Sequence, residues 1–361
     1  MITPKFQTTG DSFFKELRKR TNAYFTEQQA KQTGNFKLYS KAIILLISFI
    51  ATYTHLVFFT SDYAVISIAE CIVLGLLTSA IGFNIMHDGA HGSFSEQKFM
   101  NTLAGLSLNF LGANVHFWKT KHNIIHHSYT NIEGVDDDIN TKPILRLCET
   151  QKRYKIHRFQ HIYFLAAYSL FYLFWVFFAD YKKYFTQKIG DMPMPTMKFN
   201  NHLSFWAFKI IHVILFIVTP IYIVGFTPWI VGFLSYTLFT GILISIVFQL
   251  AHTGEDTHFP VVNNVNGKVE NEWALHQLRT TANFATKSKI VSWFTGGLNF
   301  QIEHHLFPKI SHVHYPEISK IVKQLCKEYN INYIEYPNVW KAVASHVAHL
   351  RRMGQKEVAF A

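Results

Sequence analysis

Residues 203–250 read LSFWAFKIIHVILFIVTPIYIVGFTPWIVGFLSYTLFTGILISIVFQL, 48 positions with a single charged side chain, Lys209. A helix needs about 20 apolar residues to cross the hydrocarbon core of a bilayer, so the run is long enough for two crossings. It reads as helices over 203–226 and 228–250, joined by the very short connection Thr227–Pro228. The same pattern stands earlier in the chain, over 43–59 and 64–85, joined through Thr60–Tyr63. Charged residues make up only 16% of the chain and Phe alone supplies 34 positions, whereas soluble domains carry roughly 25% charge. The fold class that follows is an all-α integral membrane protein with four transmembrane helices in two hairpins.

The formal charge of +11 is distributed unevenly. Of the 34 Lys and Arg residues, eight lie in 1–41, thirteen in 84–202 and twelve in 251–361, which leaves Lys209 alone within a span. Basic residues concentrate on the cytoplasmic side of membrane proteins. All three polar segments, both termini included, are therefore expected there, as a single domain whose cap is built from 86–161 and 251–361. This placement accounts for the charge without nucleic acid, for which no recognition motif is present. An anionic leaflet or an acidic protein partner is consistent with it. A fifth apolar stretch, 162–178, would put the two halves of the cap on opposite sides if it crossed, so it is expected to lie in the interface or dip part-way. Cys71, Cys148 and Cys326 form no CxxC pair, and the N-terminus has the charge pattern of no signal peptide. Near the C-terminus, Ile318, Ile321, Val322 and Leu325 form an apolar stripe at helical spacing, with Lys320, Lys323 and Lys327 around it.

Twenty histidines is a high count, and their grouping matters more than their number. Three clusters stand out: His87–Asp88–Gly89–Ala90–His91, His122–Asn123–Ile124–Ile125–His126–His127 and Gln301–Ile302–Glu303–His304–His305. A helix places side chains at i and i+4 about 5–6 Å apart on one face. That spacing suits His87 with His91, and His122 with His126, to metal binding. His252 emerges from the fourth span at the level where the first cluster leaves the second. A lone HxxxH is weak, because surface histidines at that spacing are common. Three clusters on one face of a membrane are a different matter, and eight imidazoles exceed what one tetrahedral zinc can use. Two metals are implied, with redox-active iron and O2 favoured over hydrolytic zinc.

The wording around the clusters, HDGAHGS at 87–93, KHNIIHHSYTN at 121–131 and GGLNFQIEHHLFP at 296–308, resembles the membrane fatty acid desaturase family. Gln301, where most acyl desaturases have His, is similar to the front-end subgroup, which inserts a double bond between an existing one and the carboxyl end. The resemblance implies a di-iron site in the cap, with His87, His91, His122, His126, His127, His252, His304 and His305 as ligands, and O2 as co-substrate. It implies that Gln301 is a weak ligand or holds a water or neighbouring imidazole. At the position where stearoyl-type enzymes carry an Asn this chain has Phe248, which leaves Gln249 as a candidate for that role. Asp88 and Glu303 are candidates for bonding to a ligand histidine, as is the acidic run 133–138. His116, Trp118, Trp293 and Trp273 are candidates for facing a fatty acyl substrate, against ordinary packing for each. The chain carries no HPGG haem motif, so a separate electron donor is expected, a ferredoxin, a rubredoxin-like carrier or a cytochrome b5-type protein. Rival readings are a hydroxylase, acetylenase or carotenoid ketolase of the same chemistry, a histidine-rich metal transporter, and a seven-span hydrolase, which four spans do not fit.

Overall fold

The computed structural model describes residues 4–6, 12–262, 269–270 and 272–355. Among the described residues, four helices are long and apolar enough to cross a membrane: Phe36–Phe58, Ala64–His91, Phe199–Val224 and Phe226–His252. Their outer faces carry exposed Ile43, Ile44, Ile47 and Ile50 on the first and Leu203, Ile210, Ile214 and Val218 on the third. In water such faces would favour aggregation; against lipid they are matched to their solvent.

The ends of the spans differ from the sequence expectation for identifiable reasons. The first begins at Phe36, because the Asn35 side chain accepts the Lys37 N–H at 3.0 Å and caps the helix. The second does not stop at Ile85 but runs through a π-helical turn at Gly82–Met86 into His87–His91. Its metal-binding candidates thus stand on the span itself. Between the third and fourth spans the break falls at Gly225, whose φ of 84° suits glycine. Pro228 lies in the first turn of the fourth span, where a missing N–H costs no helical bond.

Pro220, inside the third span, leaves the carbonyl four residues earlier without its helical donor. That carbonyl, of Phe216, instead accepts the Trp229 indole N–H at 2.9 Å, and a π-helical turn at Ile214–Val218 accompanies the irregularity. Lys209 is explained in the same way. Its ammonium donates to the carbonyls of Gly112 at 2.7 Å and Val176 at 2.6 Å, tying the third span to two neighbouring segments.

The stretch 162–178 forms the middle of two helices, Lys155–Ser169 and Phe171–Thr186, that meet at an angle of 55°. Tyr168, Tyr172 and Val176 are buried, while Ile162, Leu170, Phe174 and Phe178 point outward. Close approach to the fourth span depends on Gly241, where a Cβ would stand 2.4 Å from the Ser169 carbonyl oxygen. A further helix spans Lys98–Phe110. It exposes Phe99, Met100, Leu103 and Phe110 and packs on the third span through Phe110 and Phe208, with ring centroids 4.8 Å apart.

The cap has its own core. Phe13 and Leu17 of the N-terminal helix Ser12–Glu27 pack with Ile318, Val322 and Leu325 of Tyr315–Glu328 and with Ile302 and Leu306 beside the third histidine cluster. The expected apolar stripe is thus the inner face of Tyr315–Glu328, while Lys320 and Lys323 pair with Glu317 and Glu335, each at 2.7 Å. Among the described residues, sheet is confined to two short pairs, Lys188–Ile189 with Met192–Pro193, and Asn283–Phe284 with Glu335–Tyr336. Gly296, at φ 59°, lets the loop before the third cluster meet the π-helical turn of the second span, since a Cβ there would lie 2.4 Å from the Phe83 carbonyl oxygen. The fold thereby delivers three sequence-distant clusters to one level.

Candidate metal centre

The clusters converge into two adjoining sets of buried imidazoles. One comprises His87, His91, His122 and His304, the other His126, His252 and His305, and within each set the ligand atoms lie within 4.8 Å of one another. The second cluster is split between them. His122 and His126 remain close, with rings 5.2 Å apart, and fall into different all-histidine sets, although ligand atoms of both also lie within 4.8 Å of one another and of an Asp138 oxygen. The cause is local: residues Thr120–His126 form a π-helical turn, with i to i+5 bonding, so the phase expected of an α-helix does not hold. His127 lies at the junction. Its ring is 4.5 Å from that of His304 and 4.4 Å from that of His305, and its Nε2 is 3.2 Å from Nε2 of His122.

Six Nε2 atoms, those of His87, His91, His126, His252, His304 and His305, are buried and have no hydrogen-bond partner among the described residues. Burying a polar atom without a partner costs roughly 1–3 kcal/mol, so six in one place call for a common acceptor of their lone pairs. Burial and the neighbouring imidazoles hold His122, His127, His304 and His305 well below the usual histidine range. They are neutral at physiological pH, the form that binds metal. The donor set fits borderline transition metals with a preference for imidazole.

In four of these histidines, His126, His252, His304 and His305, the opposite ring nitrogen is engaged, which orients the free one. His126 Nδ1 meets Asp136 Oδ2 at 3.0 Å, so the acidic run after the second cluster does reach a box histidine. Burial lowers the His126 pKa, but Asp136 and Asp138 outweigh it and the net shift is upward. His305 Nδ1 lies 2.8 Å from Gln277 Oε1, His304 Nδ1 lies 3.1 Å from the Tyr315 hydroxyl, and His252 Nδ1 lies 3.3 Å from the Thr280 carbonyl. None of Gln277, Tyr315 or Thr280 was visible as a site residue from the sequence, because each reaches the histidines only through tertiary packing. Asp136→Asn is expected to weaken metal binding by about 10–100-fold, read by titrating the apo-protein with Fe(II); an unchanged affinity would remove Asp136 from this role.

Several expected roles change. Asp88 sits 4.0 Å from His87 Nδ1, beyond hydrogen-bond reach. Its Oδ2 instead meets His312 Nδ1 at 3.0 Å and accepts from Ser311 Oγ at 2.7 Å, while His312 Nε2 is 3.0 Å from the buried Lys41 ammonium. Glu303 turns away from the ligands: it accepts from Asn283 at 2.7 Å and from the Tyr333 hydroxyl at 2.9 Å, and burial pushes its pKa up to about 7. Gln249 Oε1 accepts from Thr253 Oγ1 at 2.9 Å, whereas Phe248 itself packs on the rings of His126 and His252 at 5.1 and 5.2 Å. Trp293 is 47% exposed and lies over Lys41, so it does not face the histidines. Trp118 does, stacked on His122 at 4.3 Å and edge-on to His87 and His91. His116, one residue before the fully buried Phe117, makes no ring contact with the histidine sets, and its Nε2 is buried without a partner. Trp273 donates to the His127 carbonyl at 3.1 Å. Gln301 is buried, with its amide oxygen unpartnered, one helical turn before His304 and His305.

Four membrane-capable helices, with His87, His91 and His252 at the ends of two of them and the other histidines of both sets brought in by the cap, fit a membrane protein with a metal site. Comparison with known proteins carries this further: the chain belongs to the fatty acid desaturase family, whose model matches residues 61–337. It is 34% identical over 94% of its length to an sn-1 linoleoyl-lipid 6-desaturase of Arthrospira platensis, covering 92% of that protein. A protein of the same name from Synechocystis sp. is 33% identical over 95% of this chain and 96% of its own. An acyl-lipid (8-3)-desaturase of Physcomitrium patens is 34% identical over 96% of this chain and 72% of its own. The chain is thus an oxidoreductase of the desaturase type.

Proposed function

We propose that this chain uses two irons and O2 to introduce a cis double bond into a fatty acyl chain, on the carboxyl side of a double bond already present. The observation that carries the reading is the pair of adjoining imidazole sets with six unpartnered Nε2 atoms. His87, His91, His122 and His304 would hold one iron and His126, His252 and His305 the other, with His127 at the junction. When bound, such a pair supplies oxidising power sufficient for unactivated C–H bonds. The protein supplies oriented ligands, a water-poor surround and a fixed position for the chain. Trp118, stacked against His122, is suited to hold acyl carbons beside the first set. The unpartnered amide oxygen of Gln301 is suited to weak ligation or to fixing a water.

The front-end assignment rests on Gln301 and on the names of the relatives, since position 6 lies on the carboxyl side of the double bonds in a linoleoyl chain. The cap, with its histidines, is read as cytoplasmic from the distribution of basic residues. The bent pair Lys155–Ser169 and Phe171–Thr186 is read as dipping into the membrane and returning, because a full crossing would separate the halves of the site. A separate one-electron carrier is the expected donor. A metal-transport reading is disfavoured because the histidine sets gather at the span ends, while His55 and His212, farther inside, are engaged elsewhere: His55 pairs with Glu70 at 2.9 Å and His212 meets the Phe110 carbonyl at 3.2 Å.

Gas chromatography of lipids from a host expressing the chain and fed linoleate tests the reading. A new alkene on the carboxyl side of the existing ones is expected. Hydroxylated lipid without new alkenes would replace the desaturase reading with a hydroxylase one, and Gln301→His with full activity and the same product would remove any special role for the amide.

A further inference from the structure

We infer that electrons reach the histidine sets through Trp273, from a small acidic one-electron carrier docked over Phe14, Phe307 and the cations Lys15, Arg18 and Lys309; this rests on the desaturase reading above. Removal of two vicinal hydrogens from an acyl chain supplies two electrons and two protons, while reduction of one O2 to two waters consumes four of each. The remaining two electrons must come from a reductant, one at a time if the carrier is an iron–sulfur or haem protein, and two protons come from water. The three cysteines are buried and free, so they present no exposed thiol pair as that reductant.

Trp273 joins the surface to the centre. Its indole N–H bonds to the His127 carbonyl at 3.1 Å, and Gln277, one turn later on the same helix, donates to that carbonyl at 3.1 Å while its Oε1 meets His305 Nδ1. The His127 ring in turn lies within 4.5 Å of the rings of His304 and His305, one from each set. Outward, Trp273 is edge-on to Phe14 at 5.2 Å, and Phe14 is stacked on Phe307 at 6.1 Å. All three rings are only partly buried. An aromatic path therefore runs from solvent to the backbone of the residue that joins the two sets.

Complementary charge is at hand: Arg18 lies 6.0 Å from the Phe14 ring, and Lys15, next to Phe14 in sequence, and Lys309, two residues after Phe307, are exposed. Glu16 on the same helix is engaged by Arg20 at 2.9 Å. Two of the three cations on Tyr315–Glu328, Lys320 and Lys323, are already paired with carboxylates. The patch belongs to the cap core rather than to the lipid-facing spans, so a water-soluble protein has access to it.

The full chain in lipid nanodiscs, with a reduced plant-type [2Fe–2S] ferredoxin as the acidic probe, tests both halves. Surface plasmon resonance is expected to give binding by the unaltered chain and about ten-fold weaker binding for Arg18→Glu with Lys309→Glu at low salt, the difference shrinking as salt rises. Trp273→Leu is expected to bind with unchanged Kd but to oxidise ferredoxin severalfold more slowly in stopped flow, and Trp273→Phe, which keeps a ring, to recover most of the rate. Absence of ferredoxin binding, or unchanged Kd in the charge variants, would overturn the docking site; an unchanged oxidation rate in Trp273→Leu would overturn the route. Dithionite-reduced wild-type chain given one pulse of O2 separates the two readings. Failure to form alkene there defeats the desaturase assignment, while ferredoxin binding remains a separate readout.

Discussion

His304→Ala is expected to abolish product formation while leaving the protein in the membrane fraction. Its ring, fully buried, lies 4.4 Å from that of His87, 4.9 Å from that of His91 and 4.5 Å from that of His127, three other candidate ligands. Removing it leaves three imidazoles in its set and opens a buried space beside Tyr315, whose hydroxyl loses its 3.1 Å partner. The loss should exceed the roughly 10–100-fold that removing a ligand's own hydrogen-bond partner costs. Insertion should survive, because the spans derive their stability from lipid and from one another rather than from the third cluster. Lipid profiling with immunoblotting of membranes checks both parts, and retained desaturation would exclude His304 from the essential set.

A second large effect is expected away from the ligands. Asp88→Ala removes the carboxylate that bonds Ser311 and His312, and through His312 balances the buried ammonium of Lys41, 7% exposed. Breaking a buried charge arrangement by removing one partner costs about 3–5 kcal/mol, because the other charge stays buried. Detergent-solubilised Asp88→Ala should therefore unfold at a clearly lower temperature and hold less metal, since Asp88 also stands between His87 and the segment that follows the third cluster. Adding Lys41→Met should recover part of the thermal stability. Equal midpoints for wild type and Asp88→Ala would show that this network contributes nothing.

These two residues mark what could and could not be read from the chain. Hydropathy and charge placement were enough for four spans and the shared level of the histidines, because both signals depend on solvent rather than on partners. His304 was legible for the same reason: it is one of a dense cluster following a span. Lys41 was not. It reads as the last basic residue before an apolar run, and only the packing of the first span against residues 293 and 312 buries it. Asp88 was recognised as a supporting residue, but its partner could not be, since His312 lies 224 positions away and outside every cluster.

The π-helical turns at Gly82–Met86 and Thr120–His126 explain most of the remaining difference. An i, i+4 pair has a fixed phase only in a regular α-helix, and the wider turn sends His122 and His126 to different sets. No local signal in KHNIIHHSYTN marks it. The turn is held by surroundings such as Thr130, which donates to the His126 carbonyl at 2.7 Å, and Asn123, which donates to the Ala90 carbonyl at 3.0 Å. Trp293 illustrates the converse: closeness in sequence to the third cluster suggested a substrate contact, yet its helix, Lys289–Phe294, turns it outward over Lys41.

The central claim is that the two adjoining imidazole sets hold two irons. Its most direct test is metal analysis by inductively coupled plasma mass spectrometry of the chain purified from membranes. Two irons per chain are expected, falling in the His304→Ala and His126→Ala variants; one labile zinc per chain and no iron would contradict the account.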